Sequence, residues 1–223
     1  MLLRAKVSII CVVILAGLVL PAGCRKQRQS QTVVCLGDSL TACGGKGGRY
    51  SDWLARWLSN EVIVNKGVNR DTLAGGRARF ERDVLALKPD VVIIELGAND
   101  FWQMKRGISQ LKADLEDMAA RAKEAQIEVV IASCFGERDY LLEEKVEFGP
   151  QRYGFADRIW RMEKEICEKY SCFYVPNMQI DIKPNGREPY WADNLHPNKE
   201  GNKFVAKRIL TELKKALKNS AKR

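Results

Sequence analysis

The chain has 223 residues, 46% of them hydrophobic and 29% charged, which suits one globular domain and leaves little room for two of ordinary size. Its formal net charge of +9 favours anionic surfaces in general, but no nucleic-acid recognition motif accompanies it, so no nucleic-acid partner is expected. Seven cysteines without a CxxC pair, beside a single histidine, lack the ligand spacing of a zinc site, and neither a metal nor another cofactor is expected.

Arg4 and Lys6 precede an apolar run from Val7 to Leu20, and Pro21-Ala22-Gly23-Cys24 follows. A short basic start, an apolar stretch too short to span a bilayer well, and small residues before a cut site describe a secretory signal. Residues 1–24 therefore read as an export leader, 25–31 (RKQRQSQ) as a polar linker and 32–223 as the folded domain. Cys24 directly after Ala-Gly resembles the lipobox of bacterial lipoproteins. That resemblance implies cleavage before Cys24, its lipidation, and a membrane anchor on the exported side.

Beyond the linker, apolar runs alternate with amphipathic ones. Val33-Val34-Cys35-Leu36, Val62-Ile63-Val64, Val91-Val92-Ile93-Ile94, Val129-Val130-Ile131-Ala132 and Phe173-Tyr174-Val175 are short and mostly β-branched, and read as strands buried on both faces. Ile108, Leu111, Leu115, Met118 and Ala122 repeat at helical spacing, as do Phe155, Ile159, Met162 and Ile166, and later Val205, Ile209, Leu213 and Leu217. Strands alternating with helices predict an α/β domain: a parallel sheet with helices on both faces and a ligand site beyond the carboxyl ends of its strands. The stretch from Phe135 to Gly154 reads as a long segment, either a substrate rim or a packed surface loop. Cys35 and Cys134 read as small core residues, and Cys167 and Cys172 as thiols near enough in sequence for a disulfide, with unpaired thiols the simpler expectation. The lysines and arginines between Lys207 and Arg223 read as a solvated helix face, with anionic lipid headgroups the next reading.

Polar residues follow the strands on what should be one edge. Gly37-Asp38-Ser39 follows the first, Asn65-Lys66-Gly67 the second, and Gly97-Ala98-Asn99-Asp100 the third; Asp193-Asn194-Leu195-His196 comes after the fifth. A serine hydroxyl is a weak nucleophile until a base removes its proton, the base needs a partner on its far nitrogen, and the attacked carbonyl needs donors for its oxygen. Asp193 and His196 are spaced so that one turn of chain can hold carboxylate against imidazole, and Pro197 reads as an early position of the last helix. Asp38 and Asp100 read as turn-fixing acids, and Gly44-Gly45-Lys46-Gly47-Gly48, which lacks Walker spacing, as a loop beside the site. Phe101 and Trp102 read equally as an acyl- or ring-binding wall and as ordinary packing.

Cys35-Leu36-Gly37-Asp38-Ser39-Leu40-Thr41, Glu95-Leu96-Gly97-Ala98-Asn99-Asp100 and Asp193-Asn194-Leu195-His196-Pro197 occur in that order, each after an apolar strand. With these blocks the chain resembles the SGNH/GDSL hydrolase family over nearly all of its length after the leader. The resemblance implies a three-layer α/β/α sandwich, flavodoxin-like, with five parallel strands. It implies Ser39 as nucleophile and, through its amide, as one oxyanion donor, with the Asn99 side chain as another. It implies His196 as general base and then acid, oriented by Asp193. One block departs: with Asn65 and Asp71-Thr72 in register, Arg70 stands where the family has an oxyanion-binding glycine, and Gly67 is the alternative if the register slips. A backbone donor survives that change, but a positive φ would strain an arginine, and its side chain could favour an anionic substrate.

The expected function is an exported serine esterase acting on acyl or acetyl esters of lipid or carbohydrate through an acyl-enzyme. An acyltransferase using the same machinery, and a membrane-tethered carbohydrate- or lipid-binding module without turnover, are the alternatives.

Overall fold

A computed structural model describes residues 29–136, 145–182 and 189–223, with the backbone alone at 145–150 and 153. The leader with Cys24 and the first part of the linker lie outside the described residues, as does 137–144 of the long segment after the fourth strand.

Five strands, β1 (Thr32–Gly37), β2 (Val62–Gly67), β3 (Val91–Glu95), β4 (Glu128–Ala132) and β5 (Phe173–Val175), form one sheet in the order β2-β1-β3-β4-β5 with every pairing parallel. The connecting helices are α1 (Ser39–Ala42), α2 (Tyr50–Trp57), α3 (Leu73–Asp83), α4 (Ala98–Gln103), α5 (Ile108–Glu124), α6 (Lys145–Tyr170) and α7 (Lys199–Ser220). This is the α/β/α sandwich that the alternating pattern predicts.

The continuous apolar strands have a direct cause. Successive side chains point to opposite faces, and both faces are covered by helices. Val34, Leu36, Val92, Ile94, Val129 and Ile131 share a core with Phe80 of α3, Leu111, Leu115 and Met118 of α5, and Ile159 and Met162 of α6. Their neighbours Val33, Cys35, Val91, Ile93 and Val130 belong to a second core with Tyr50 and Leu54 of α2 and Val205, Ile209 and Leu213 of α7. A one-residue slip in register would exchange the two sets.

Two boundaries differ from expectation. Helix α6 begins at Lys145, inside the segment expected to be irregular up to Gly154. Gly149, Pro150 and Gly154 are poor helix formers, but propensity is a weak prior that tertiary packing overrides. Helix α7 begins at Lys199, capped by Asn198, whose side chain accepts from the Glu200 and Gly201 amides. Pro197 therefore stands before the cap, in a short antiparallel bridge with Trp191. Cys35 is buried in the core as expected, while Cys134 lies past the end of β4 and is only half-buried. Cys167 and Cys172 are free thiols.

Strand β1 has β2 on one side and β3 on the other, so the chain leaves the carboxyl ends of these strands in opposite directions. A crevice opens at such a switch point. The segments carrying Ser39, Arg70 and Asn99 all emerge there. The chain enters β1 at Thr32, on the opposite edge of the sheet, where the Thr32 amide donates to Asp90 (2.7 Å).

Candidate active site

Ser39 is the first residue of α1, directly after the N-cap Asp38, whose carboxylate accepts from the Leu40 amide at 2.8 Å. The turn from β1 into α1 is tight: a Cβ at Gly37 would lie 2.0 Å from Thr41 Oγ1 and 2.7 Å from the Glu95 carbonyl oxygen, so only glycine fits. Ser39 is left half-buried at the mouth of the crevice.

His196 Nε2 lies 2.9 Å from Ser39 Oγ, across 157 residues of sequence. On its far side, Nδ1 lies 2.8 Å from Asp193 Oδ2 and 3.0 Å from Oδ1. Asp193 is held by its own loop, since Oδ1 also accepts from the Leu195 (2.7 Å) and His196 (2.8 Å) amides. Burial works against the Asp193 carboxylate, but those amides and the imidazole outweigh it and hold its carboxyl below the usual value. With the Nδ1 proton facing Asp193, Nε2 is free to accept the Ser39 hydroxyl proton.

The three expected oxyanion donors are in unequal states. Among the described residues, the Ser39 and Arg70 amides have no hydrogen-bond acceptor. Arg70 is the third residue of the turn Val68–Asp71, closed by the Asp71 amide on the Val68 carbonyl at 3.2 Å, and its φ is 64°. A positive φ at that position is the mark of a type II turn, which favours glycine. Asn99 Nδ2 donates both hydrogens, to Asp38 Oδ2 and to the Asp71 carbonyl, each at 2.9 Å. For Asn99 to hold an oxyanion, one of those bonds must be shared or exchanged. The Gly67 amide is spent on Asn65 Oδ1 at 2.9 Å, and Gly67 backs directly onto Ala42, so the alternative register has no free donor.

Sequence reading missed the polar group beneath the nucleophile. Glu95, the last residue of β3, is fully buried and accepts from Thr41 Oγ1 at 2.8 Å, and Thr41 is in turn 3.0 Å from the Tyr50 hydroxyl. Burial, then the neighbouring Asp38 charge, pushes Glu95 well above the carboxylate range. Burial likewise lifts Asp38, to about 6, against the pull of the Leu40 amide, Glu95, Asn99 and His196. Asp38 Oδ2 is in turn the acceptor for one hydrogen of Asn99 Nδ2. An acid closing an otherwise apolar strand was the available signal. Asp100 accepts from the Leu73 amide at 2.9 Å, so it fastens α4 to the start of α3 where a turn-fixing role within its own loop was expected. Phe101 is buried, its ring 5.4 Å from that of Phe135 and tilted 59° to it, whereas Trp102 is exposed. Val68 and Leu195 are exposed too, so the segments that carry Arg70, His196 and Asn99 each bring an apolar side chain to the surface.

A parallel α/β/α domain that sets a serine, an imidazole and a carboxylate in line at its switch point has the anatomy of an ester hydrolase. The chain belongs to the GDSL-like Lipase/Acylhydrolase family, whose model matches residues 35–204. It is 27% identical over 213 residues to the acetylxylan esterase of Geobacillus stearothermophilus, covering 82% of this chain and 94% of that one. It is 26% identical over 187 residues to the thioesterase 1/protease 1/lysophospholipase L1 of Escherichia coli (strain K12), covering 79% and 80%. The crystal structure of the psychrotrophic esterase EstA from Pseudoalteromonas sp. shares the fold, with a TM-score of 0.70 at 20% identity over 85% of this chain and all of that one. The protein is accordingly a GDSL-type carboxylic ester hydrolase.

Proposed function

We propose that the protein is an exported serine esterase in which Ser39 attacks the ester carbonyl and His196, oriented by Asp193, moves the protons. The Ser39 oxygen bonds to the carbonyl carbon, its proton passes to His196 Nε2, and the carbonyl electron pair moves onto oxygen. His196 returns the proton to the departing alcohol as the carbon–oxygen bond breaks. Water, deprotonated by the same imidazole, then releases the acid from the acyl-enzyme. The Ser39 and Arg70 amides receive the oxyanion, joined by Asn99 once it shares its bond to Asp71. The observation that carries this reading is the 2.9 Å approach of His196 Nε2 to Ser39 Oγ with Asp193 behind the ring.

The test is hydrolysis of short-chain nitrophenyl esters together with labelling by a fluorophosphonate. Ser39→Ala is expected to lower kcat by about 10⁴- to 10⁶-fold, the range seen when serine hydrolases lose a triad member, and to abolish labelling. Turnover that survives the substitution overturns the assignment.

On the substrate side, the exposed apolar rim and the relatives' acetylxylan esterase and lysophospholipase activities favour acyl or acetyl esters of carbohydrate or lipid. Arg70 adds a preference. Its side chain is exposed and without an ion-pair partner among the described residues, while Asp71, Asp100 and Asp193 at the same edge are each committed internally. Esters bearing an anionic group near the scissile bond are therefore favoured over neutral ones.

Residues 1–24 act as the export leader, 25–31 as the linker, and Cys24 as the lipidated anchor to a membrane. No helix among the described residues is long and apolar enough to cross one. Incorporation of labelled palmitate that disappears in Cys24→Ser is the expected result; unlabelled mature protein would count against the anchor.

A further inference from the structure

Arg79 lies on α3, its side chain only 10% exposed, with no place in the proton transfers described above. Its guanidinium nonetheless meets the segments that supply the Ser39 and Arg70 amides directly, and reaches Asn99 through Asp71. Nη2 donates to the Gly37 carbonyl at 3.0 Å, two residues before Ser39. Nη1 donates to the Lys66 carbonyl at 2.9 Å, near the end of β2. Nε donates to Asp71 Oδ2 at 2.7 Å, at the far end of the turn that contains Arg70. The backbone carbonyl of that same Asp71 takes one hydrogen of Asn99. Asp83, one helical turn further along α3, accepts from Nη1 at 3.1 Å and fixes the guanidinium from behind.

We propose that Arg79 is the positioning residue of the oxyanion pocket, a single planar fork that registers the Ser39 turn, the Arg70 turn and, through Asp71, the Asn99 amide against one another. The inference rests on the serine-esterase reading above and deepens it. The chemistry suits arginine alone. Two carbonyls and a carboxylate lie in the directions of one guanidinium plane, and a lysine ammonium cannot serve them with the same spread or rigidity. The Arg70 turn also needs an external clamp, because its third residue is held at a φ that arginine does not favour. Asn99 cannot be drawn from Asp71 toward an oxyanion by a defined amount unless Asp71 itself is fixed.

A merely structural arginine, neutralising Asp71 and Asp83, makes a different prediction from a positioning one. The experiment measures kcat and KM for a nitrophenyl ester, inhibition by an aryl trifluoromethyl ketone, and melting temperature, for wild type, Arg79→Lys and Arg79→Gln. The ketone adds Ser39 and leaves a charged oxygen in the pocket, so its affinity reads the oxyanion geometry directly. Both variants are expected to lose about 10- to 100-fold in kcat, the scale of a misplaced reacting group, with KM within about twofold. Inhibition by the ketone should weaken in step with kcat. Arg79→Lys should recover melting temperature relative to Arg79→Gln without recovering kcat. Should Arg79→Gln fail to fold, Arg79→Lys carries the test by itself. A kcat of Arg79→Lys within about twofold of wild type, a loss confined to KM, or ketone binding that does not weaken while kcat falls would each overturn the proposal. Ser39→Ala is measured alongside, so an error in assigning the nucleophile is read there and not at Arg79.

Discussion

Arg70 concentrates the tension between backbone and chemistry at this site. Holding a non-glycine residue at positive φ costs about 1 kcal/mol, and glycine would remove that cost while giving the unfolded chain more freedom, which returns a good part of it. Arg70→Gly is therefore expected to raise stability by only about 0.5 kcal/mol, seen as a small upward shift in melting temperature. The larger change should be in selectivity. The ratio of kcat/KM for a carboxylate-bearing ester to that for a neutral ester should fall several-fold, and an unchanged ratio would remove the guanidinium from substrate recognition. At this scale the legible residues were those whose element type dictates their chemistry: a serine after a strand, the lone histidine, a carboxylate three positions before it. Asn99 was legible as a donor type, but its two existing hydrogen bonds were not, because they run to Asp38 and to a backbone carbonyl that only the fold brings near. Nothing in Gly75-Gly76-Arg77-Ala78-Arg79 marks Arg79 apart from Arg77; what separates them is which face of α3 meets the sheet edge.

Among elements, α6 is tied to the sheet by a buried acid. Glu163 is 1% exposed and accepts from the Tyr174 hydroxyl of β5 at 3.0 Å. Burial, partly offset by Ser133 and Tyr174, pushes its carboxyl up to about 8. The folded state thus holds a proton that the unfolded chain releases near the ordinary glutamate value of 4.5. The associated stability is complete below that value and is lost as pH rises toward 8, with a limiting slope of about 1.4 kcal/mol per pH unit. Glu163→Gln keeps an acceptor for Tyr174 and has no proton to lose. Its melting temperature should gain on the wild type steadily from pH 5 to pH 8; parallel curves would show that folding does not raise the Glu163 carboxyl above its ordinary value. Such an acid is hard to read from sequence, since Glu163 interrupts the pattern of Ile159, Met162 and Ile166 only as any polar helix residue would. The start of α6 was misplaced for the converse reason: Gly149, Pro150 and Gly154 speak for local preference, and packing decides.

Across the whole molecule, the sandwich was legible because both layers leave their mark on the same strands. Residues such as Val33 and Val34 are adjacent in sequence, lie in different cores, and are both fully buried. The gathering of site residues at one edge followed from strand polarity alone. What could not be read was the depth of the polar foundation, in which Tyr50, Thr41, Glu95 and Asp38 form a hydrogen-bonded column beneath Ser39 drawn from three separate segments. The entry of the chain at Thr32 gives the domain a direction. The site lies at the far end of β1, about 20 Å away at the usual rise per residue, and a fully extended 25–31 linker adds about 25 Å at most. A molecule moored at Cys24 would carry its crevice to a distance of at most about 45 Å from the mooring surface. Esters on polymers or molecules within that radius are then held at a high local concentration around one crevice, while those farther out must diffuse to it.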